Sequence, residues 1–182
     1  MPKTDSKYDV IAKRYAEALF LSAKDIDSVD TVYDDLKFIG QTYSESSELS
    51  GFLTNKLITH QDKKDVLSSL FKDKISEVTF NFLSLLIDNG RFETILAVVS
   101  EYKKELNRLN NIVVAEITSA VEIPDELKTR LITTLETKTA KKIEANYKID
   151  NSIIAGLIVN IKEKTIDSSL KTKISNIKKQ LI

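Results

Sequence analysis

Proline and glycine, the residues that most often end a helix, are almost missing from this chain. Only Pro2 and Pro124 occur in 182 residues, and the four glycines Gly40, Gly51, Gly90 and Gly156 are far apart. Nothing between the two prolines removes a backbone donor, so apolar residues recurring every three or four positions there can form long helices. The recurrence predicts six of them, near Tyr8–Ala23, Ser28–Tyr43, Ser46–Leu53, Gln61–Phe71, Ser76–Asn89 and Phe92–Leu109. Local chemistry supports the boundaries. His60 or Asp62 can begin the fourth helix, and Asn89-Gly90 provides a left-handed stop for the fifth.

After Asn110-Asn111 the pattern changes. Ile112 to Thr118 is short and rich in β-branched residues, which predicts a strand and places a domain boundary between residues 110 and 111. Pro124 with Asp125 and Glu126 then opens a helix running to about Lys138, its acidic residues at the positive end of the dipole. From Lys142 to Ile149, Ile143, Ala145, Tyr147 and Ile149 alternate with polar residues, the period of a half-buried strand, and Ile153–Ile161 reads as its neighbour. Asp167-Ser168-Ser169 can cap a last helix with Leu170, Ile174, Ile177 and Leu181 on one face. The expected fold is mainly α with a small α/β part: a six-helix amino-terminal bundle over residues 1–110 and a small α/β domain over 111–182.

Composition narrows the function. There is no cysteine, hence no disulfide, thiolate nucleophile or sulfur-ligated metal, which fits a reducing compartment. Lys and Arg number 27 against 27 Asp and Glu, so no net field draws the chain to nucleic acid or anionic lipid. The balance is uneven along the chain: from Lys128 onward twelve basic residues face five acidic ones, which reads first as a solvated lysine-rich face. No apolar run is long enough to span a bilayer, so membrane association must come through a partner. The opening Met1–Val10 carries two acidic residues and no apolar core, unlike a secretory or transit segment, and the expectation is a mature bacterial chain.

Catalytic and ligand-binding patterns are not found. His60 is the single histidine, without ligand spacing around it, and reads as a surface or capping residue. Asp25, Asp27 and Asp30 lack the mid-loop glycine of a calcium loop, and the scattered glycines build neither a phosphate cradle nor a dinucleotide fingerprint. No cofactor and no metal is expected. Two helices instead have surplus apolar surface. In the first, Ile11, Ala12, Tyr15, Ala16, Ala18, Leu19, Phe20 and Ala23 cover about half the circumference. The fifth is apolar nearly all round, with a narrow polar side at Asn81, Ser84 and Asp88. Central positions in a bundle would explain both; so would a groove accepting an amphipathic partner helix.

Four stretches, in order and spacing, resemble the ATP synthase delta family, known in mitochondria as the oligomycin-sensitivity protein. They are Ala12-Lys13-Arg14-Tyr15-Ala16-Glu17-Ala18-Leu19-Phe20; Asn81 through Arg91, reading NFLSLLIDNGR; Val114 through Ala120; and Ile149 through Leu157 with Ile166 through Leu170. Lys56, Ala155 and Lys162 stand where that family more often has proline or glycine, which bears on loop geometry.

The resemblance implies a non-catalytic stator subunit that links the catalytic head of an F-type ATP synthase to its peripheral stalk. It implies one copy in a hetero-oligomeric complex at the cytoplasmic face of the bacterial membrane. It further implies that the first and fifth helices bind the amino-terminal helix of an alpha subunit, which carries the expectation to Ala12, Tyr15, Ala16, Leu19, Phe82, Leu85, Leu86 and Asn89. For the carboxy-terminal end of the b subunit the candidates are Leu170, Ile174 and Ile177. A reading from another class is a helical RNA-binding regulator, which would need a concentrated basic face that the first domain lacks. An unrecognised enzyme would have to turn over a substrate alone.

Overall fold

A computed structural model describes residues 7–150, 153, 156–161 and 164–167. The chain divides into two compact units, the first ending at Leu106 and the second beginning at Asn107. The fold is mainly α with a small α/β part.

In the first unit, α1 (Lys7–Asp25), α2 (Val29–Glu45), α3 (Ser47–Thr54), α4 (His60–Phe71), α5 (Glu77–Asp88) and most of α6 (Ile95–Leu109) follow one another through short connections. Side-chain caps set several starts. Ser46, Thr59 and Ser76 accept hydrogen bonds from the backbone N–H groups of Leu49, Asp62 and Thr79, satisfying donors that have no partner within the first turn of α3, α4 and α5. The predicted sixth helix begins later than its pattern suggested. Phe92–Thr94 winds as a 3-10 turn, Thr94 donating to the Arg91 carbonyl from both its N–H (2.9 Å) and its hydroxyl (2.8 Å), before α6 proper starts at Ile95.

One core serves this unit. Ala12, Ala16 and Leu19 of α1 share it with Leu36 and Ile39 of α2, Leu83 and Leu86 of α5, and Val98 and Tyr102 of α6. Tyr102 is its largest fully buried side chain, held edge-on against Phe20 at 5.4 Å and stacked with Tyr33 at 6.4 Å. Its hydroxyl donates to the Val29 carbonyl at 3.0 Å. Burial, assisted by the charge of Asp30, raises the Tyr102 pKa well above the usual tyrosine value. Gly40 lets α2 approach α6: a Cβ there would stand 3.3 Å from Val99 Cγ2.

The second unit holds β1 (Ile112–Ser119), α7 (Asp125–Thr139), β2 (Lys142–Ile149), β3 (Leu157–Ile161) and β4 (Lys164–Asp167), with the sheet ordered β2-β1-β3-β4. β1 pairs parallel with β2, Val113 opposite Ile143, and antiparallel with β3, Ile117 opposite Val159. The expected adjacency of the second and third strands is therefore corrected. β1 lies between them because the α7 crossover returns β2 parallel to β1, leaving β1's other edge for β3. The third strand is also shorter than expected, since Ile153 sits in a bend and Gly156 has a φ of +101°, and pairing begins only at Leu157.

The described residues hold seven α-helices and one 3-10 helix: α1 to α6 before β1, with the 3-10 turn between α5 and α6, and α7 between β1 and β2. Val113, Ala115 and Ile117 pack under Leu135, Ile123 and Ile143 in a separate small core. The predicted last helix, with Leu170, Ile174 and Ile177, lies outside the described residues.

Candidate functional site

The structure brings the two helices with surplus apolar surface together. Tyr15 of α1 meets Phe82 of α5 edge-to-face, ring centroids 6.1 Å apart at 71°. Most of the eight residues expected to receive a partner helix are not at the surface, however. Ala12, Ala16, Leu19, Phe82 and Leu86 are buried in the bundle's own core, so their apolar character is explained by internal packing. The two alanines serve here as small residues that admit close neighbours. Tyr15 is half-buried at the edge of that core, and Leu85 and Asn89 are exposed.

Apolar residues flank the Tyr15–Phe82 contact. Ile11 and Ala18 lie one turn to either side of Tyr15, half-buried and exposed respectively, and Val78, half-buried, lies one turn before Phe82. Leu85, one turn after Phe82, leaves 48% of its surface in water. Asn89 folds its amide back to donate to the Leu85 carbonyl at 3.0 Å, closing the end of α5. The candidate groove thus has Tyr15 and Phe82 as its floor and Ile11, Ala18, Val78 and Leu85 along its sides. Ile11, Ala18 and Val78 were legible as apolar positions, but the helical wheel gave no reason to prefer them over their buried neighbours.

Both ends of α5 are pinned. At its start, Asp35 of α2 accepts through one carboxylate oxygen from the Ser76 N–H (2.8 Å), the Ser76 hydroxyl (2.7 Å) and the Thr79 hydroxyl (2.9 Å). Asp35 is itself buried, and its charge lies at the positive end of the α5 dipole. Sequence reasoning missed it. The available signal was an acid flanked by Val32, Leu36 and Ile39 on the inner face of a helix. At the other end, Gly90, with φ +60°, donates to the Ile87 carbonyl at 2.9 Å, and Arg91 N–H donates to the Leu86 carbonyl at 2.8 Å. This is the paired closure of a left-handed glycine cap.

His60, the first residue of α4, is exposed with Nδ1 4.0 Å from the Asp88 carboxylate, itself 2.7 Å from Lys64 Nζ. Among the described residues no group of three or more His, Asp or Glu could hold a metal ion, and no helix is long and apolar enough to cross a membrane.

A family model described as "ATP synthase delta (OSCP) subunit" matches residues 11–181. The chain belongs to the ATP synthase delta (OSCP) family. It is 33% identical over 172 residues to the ATP synthase subunit delta of Desulforamulus reducens, covering 94% of this chain and 95% of the relative. The corresponding protein of Fusobacterium nucleatum is 35% identical over 169 residues, covering 93% and 97%. A relative from Propionigenium modestum, described as sodium ion specific, is 33% identical over 167 residues, covering 92% and 95%. Among solved structures, a chain in the cryo-EM structure of the Toxoplasma gondii mitochondrial ATP synthase hexamer superposes with a TM-score of 0.70. It is 24% identical, covering 93% of this chain and 96% of that one, and shares the fold. Family membership leaves the RNA-binding regulator without support.

Proposed function

We propose that this chain is the non-catalytic stator subunit that couples the head of an F-type ATP synthase to its peripheral stalk, as one copy per complex at the cytoplasmic face of a bacterial membrane. The observation that carries the reading, beside the family membership, is the apolar surface where α1 and α5 meet: Tyr15 on Phe82, with Leu85 exposed next to them. An amphipathic helix from the amino terminus of an alpha subunit, laid along this groove, would remove that surface from water. Burying the exposed part of Leu85 alone contributes about 1 kcal/mol. Ala12, Ala16, Leu19, Phe82 and Leu86 support the groove from beneath, and Tyr15, Leu85 and Asn89 touch the partner.

The second unit engages the carboxy-terminal end of the b subunit. Its described surface has an apolar cleft of about 470 Å³ between the segment after β1 and the first half of α7, with Val121 71% and Leu127 52% exposed at its rim. Exposed leucine and valine beside an apolar cleft suit a stalk helix end. Leu170, Ile174 and Ile177 remain candidates for the same contact.

In this role the chain performs no bond chemistry. It resists the torque that shaft rotation places on the head, and coupling of ion flow to ATP synthesis depends on that resistance. Sedimentation of purified head with soluble b subunit tests it. The two should co-sediment only when the chain is present; co-sedimentation without it, or none with it, would overturn the proposal.

A further inference from the structure

A second cavity in the helical unit, of about 370 Å³, opens where α3 and α5 end against α4. Its polar lining is Thr54, Lys56, His60, Lys63, Arg91 and Glu93, above an apolar floor that includes Leu53, Ile87 and Phe92. The imbalance is plain: three permanent cations face one carboxylate. The nearby acid Asp88 is engaged by Lys64 at 2.7 Å.

Lys63 is the informative residue. It is only 8% exposed, yet its ammonium has no hydrogen-bond or ion-pair partner among the described residues. No buried side-chain nitrogen or oxygen is left unsatisfied there either, so the Lys63 nitrogen itself must be wetted. The stem is buried, and Lys63 is one of the residues that line the cavity. The carbonyl ends of α3 and α5 lower the cost of placing a lysine here. They do not account for Lys56 and Arg91, which line the same cavity with no side-chain partner of their own among the described residues.

We propose that this cavity binds a small oxyanion of the phosphate class, held by Lys63 from within and by Arg91 and Lys56 at the mouth. An arginine fork with two lysine ammonium groups offers a tetrahedral oxyanion several charge-assisted hydrogen bonds. Partial enclosure by apolar side chains strengthens each of them relative to open water. The bound anion would neutralise the cation excess and tie the ends of α3 and α5 to α4.

The test is titration of the full ¹⁵N-labelled chain with inorganic phosphate, and separately with AMP, at constant pH and ionic strength, with chloride as the control salt. Saturable shifts at the Lys63, Arg91 and Phe92 amides are expected. Binding should weaken at least about tenfold in Lys63→Met and in Arg91→Gln, each losing a charged donor, and stay unchanged in Lys37→Gln on α2. Tighter binding of AMP than of phosphate would make the natural source an organic monoester, and equal binding would make it free phosphate; both support the site. Shifts that do not saturate with either anion, or that persist undiminished in folded Lys63→Met, would overturn it. Met matches the lysine stem and suits a largely buried position, and Arg91→Gln, at a half-buried position, gives an independent test.

Discussion

Replacing Asp35 with alanine removes the one acceptor that joins α2 to the start of α5. Three donors converge on a single carboxylate oxygen, at 2.7, 2.8 and 2.9 Å, and all are lost together. Hydrogen bonds to a charged group contribute about 1.5 kcal/mol or more apiece, a gross loss of roughly 4 to 5 kcal/mol. Relief from burying a carboxylate offsets about 1 to 2 kcal/mol of it. The net destabilisation is about 3 kcal/mol, and in a unit of this size that lowers the melting midpoint by roughly 12 to 24 °C. Asp35→Asn, which keeps an acceptor oxygen but not the charge, should lose about half as much. Urea unfolding followed by far-UV circular dichroism measures both, with the exposed Asp34→Ala as control. If Asp35→Ala costs less than about 1 kcal/mol and matches Asp34→Ala, the carboxylate does not hold α5 in place.

Gly90→Ala should destabilise by about 1 kcal/mol, because its φ of +60° is costly for any residue with a Cβ although nothing lies within 4 Å of the added atom; chemical denaturation checks it. Tyr102→Phe should lose about 1 to 2 kcal/mol, the hydrogen bond to Val29 being buried. The raised Tyr102 pKa adds a pH dependence. The phenol is neutral in both folded and unfolded chains below 10.0; above it the unfolded chain ionises first, so stability falls as pH rises toward the higher folded value. The wild-type advantage over Tyr102→Phe should therefore shrink above pH 10.0, and ultraviolet titration of the native protein should show Tyr102 and Tyr43 ionising late.

The helices of the first unit were legible because so little interrupts them and because Ser46 and Ser76 mark the starts of two; Thr59, which caps α4, was not read as a start. The sheet order was not. A period of two in Lys142–Ile149 shows which side chains share a face, not which strand lies alongside, and only the path of α7 places β1 between β2 and β3. Even the shared face was only partly informative: Ile143 is buried while Tyr147 and Ile149 are exposed. At the candidate groove, the wheel singled out α1 and α5, which do pack together, but mixed surface with core, since Ala12 and Leu86 present the same apolar signal as Leu85. Lys63 was overlooked although it falls in line with Leu67 and Phe71 on the buried face of α4, a position where a lysine is out of pattern.

Calorimetric titration of the full chain with a synthetic amino-terminal helix of the alpha subunit from the same organism tests the central claim most directly. The account predicts saturable one-to-one binding. Leu85→Glu should weaken it by about 2 kcal/mol, roughly 30-fold, because apolar contact is lost and a charge is placed against a dry surface. No binding by the folded wild type, or unchanged affinity in a folded Leu85→Glu, would contradict it.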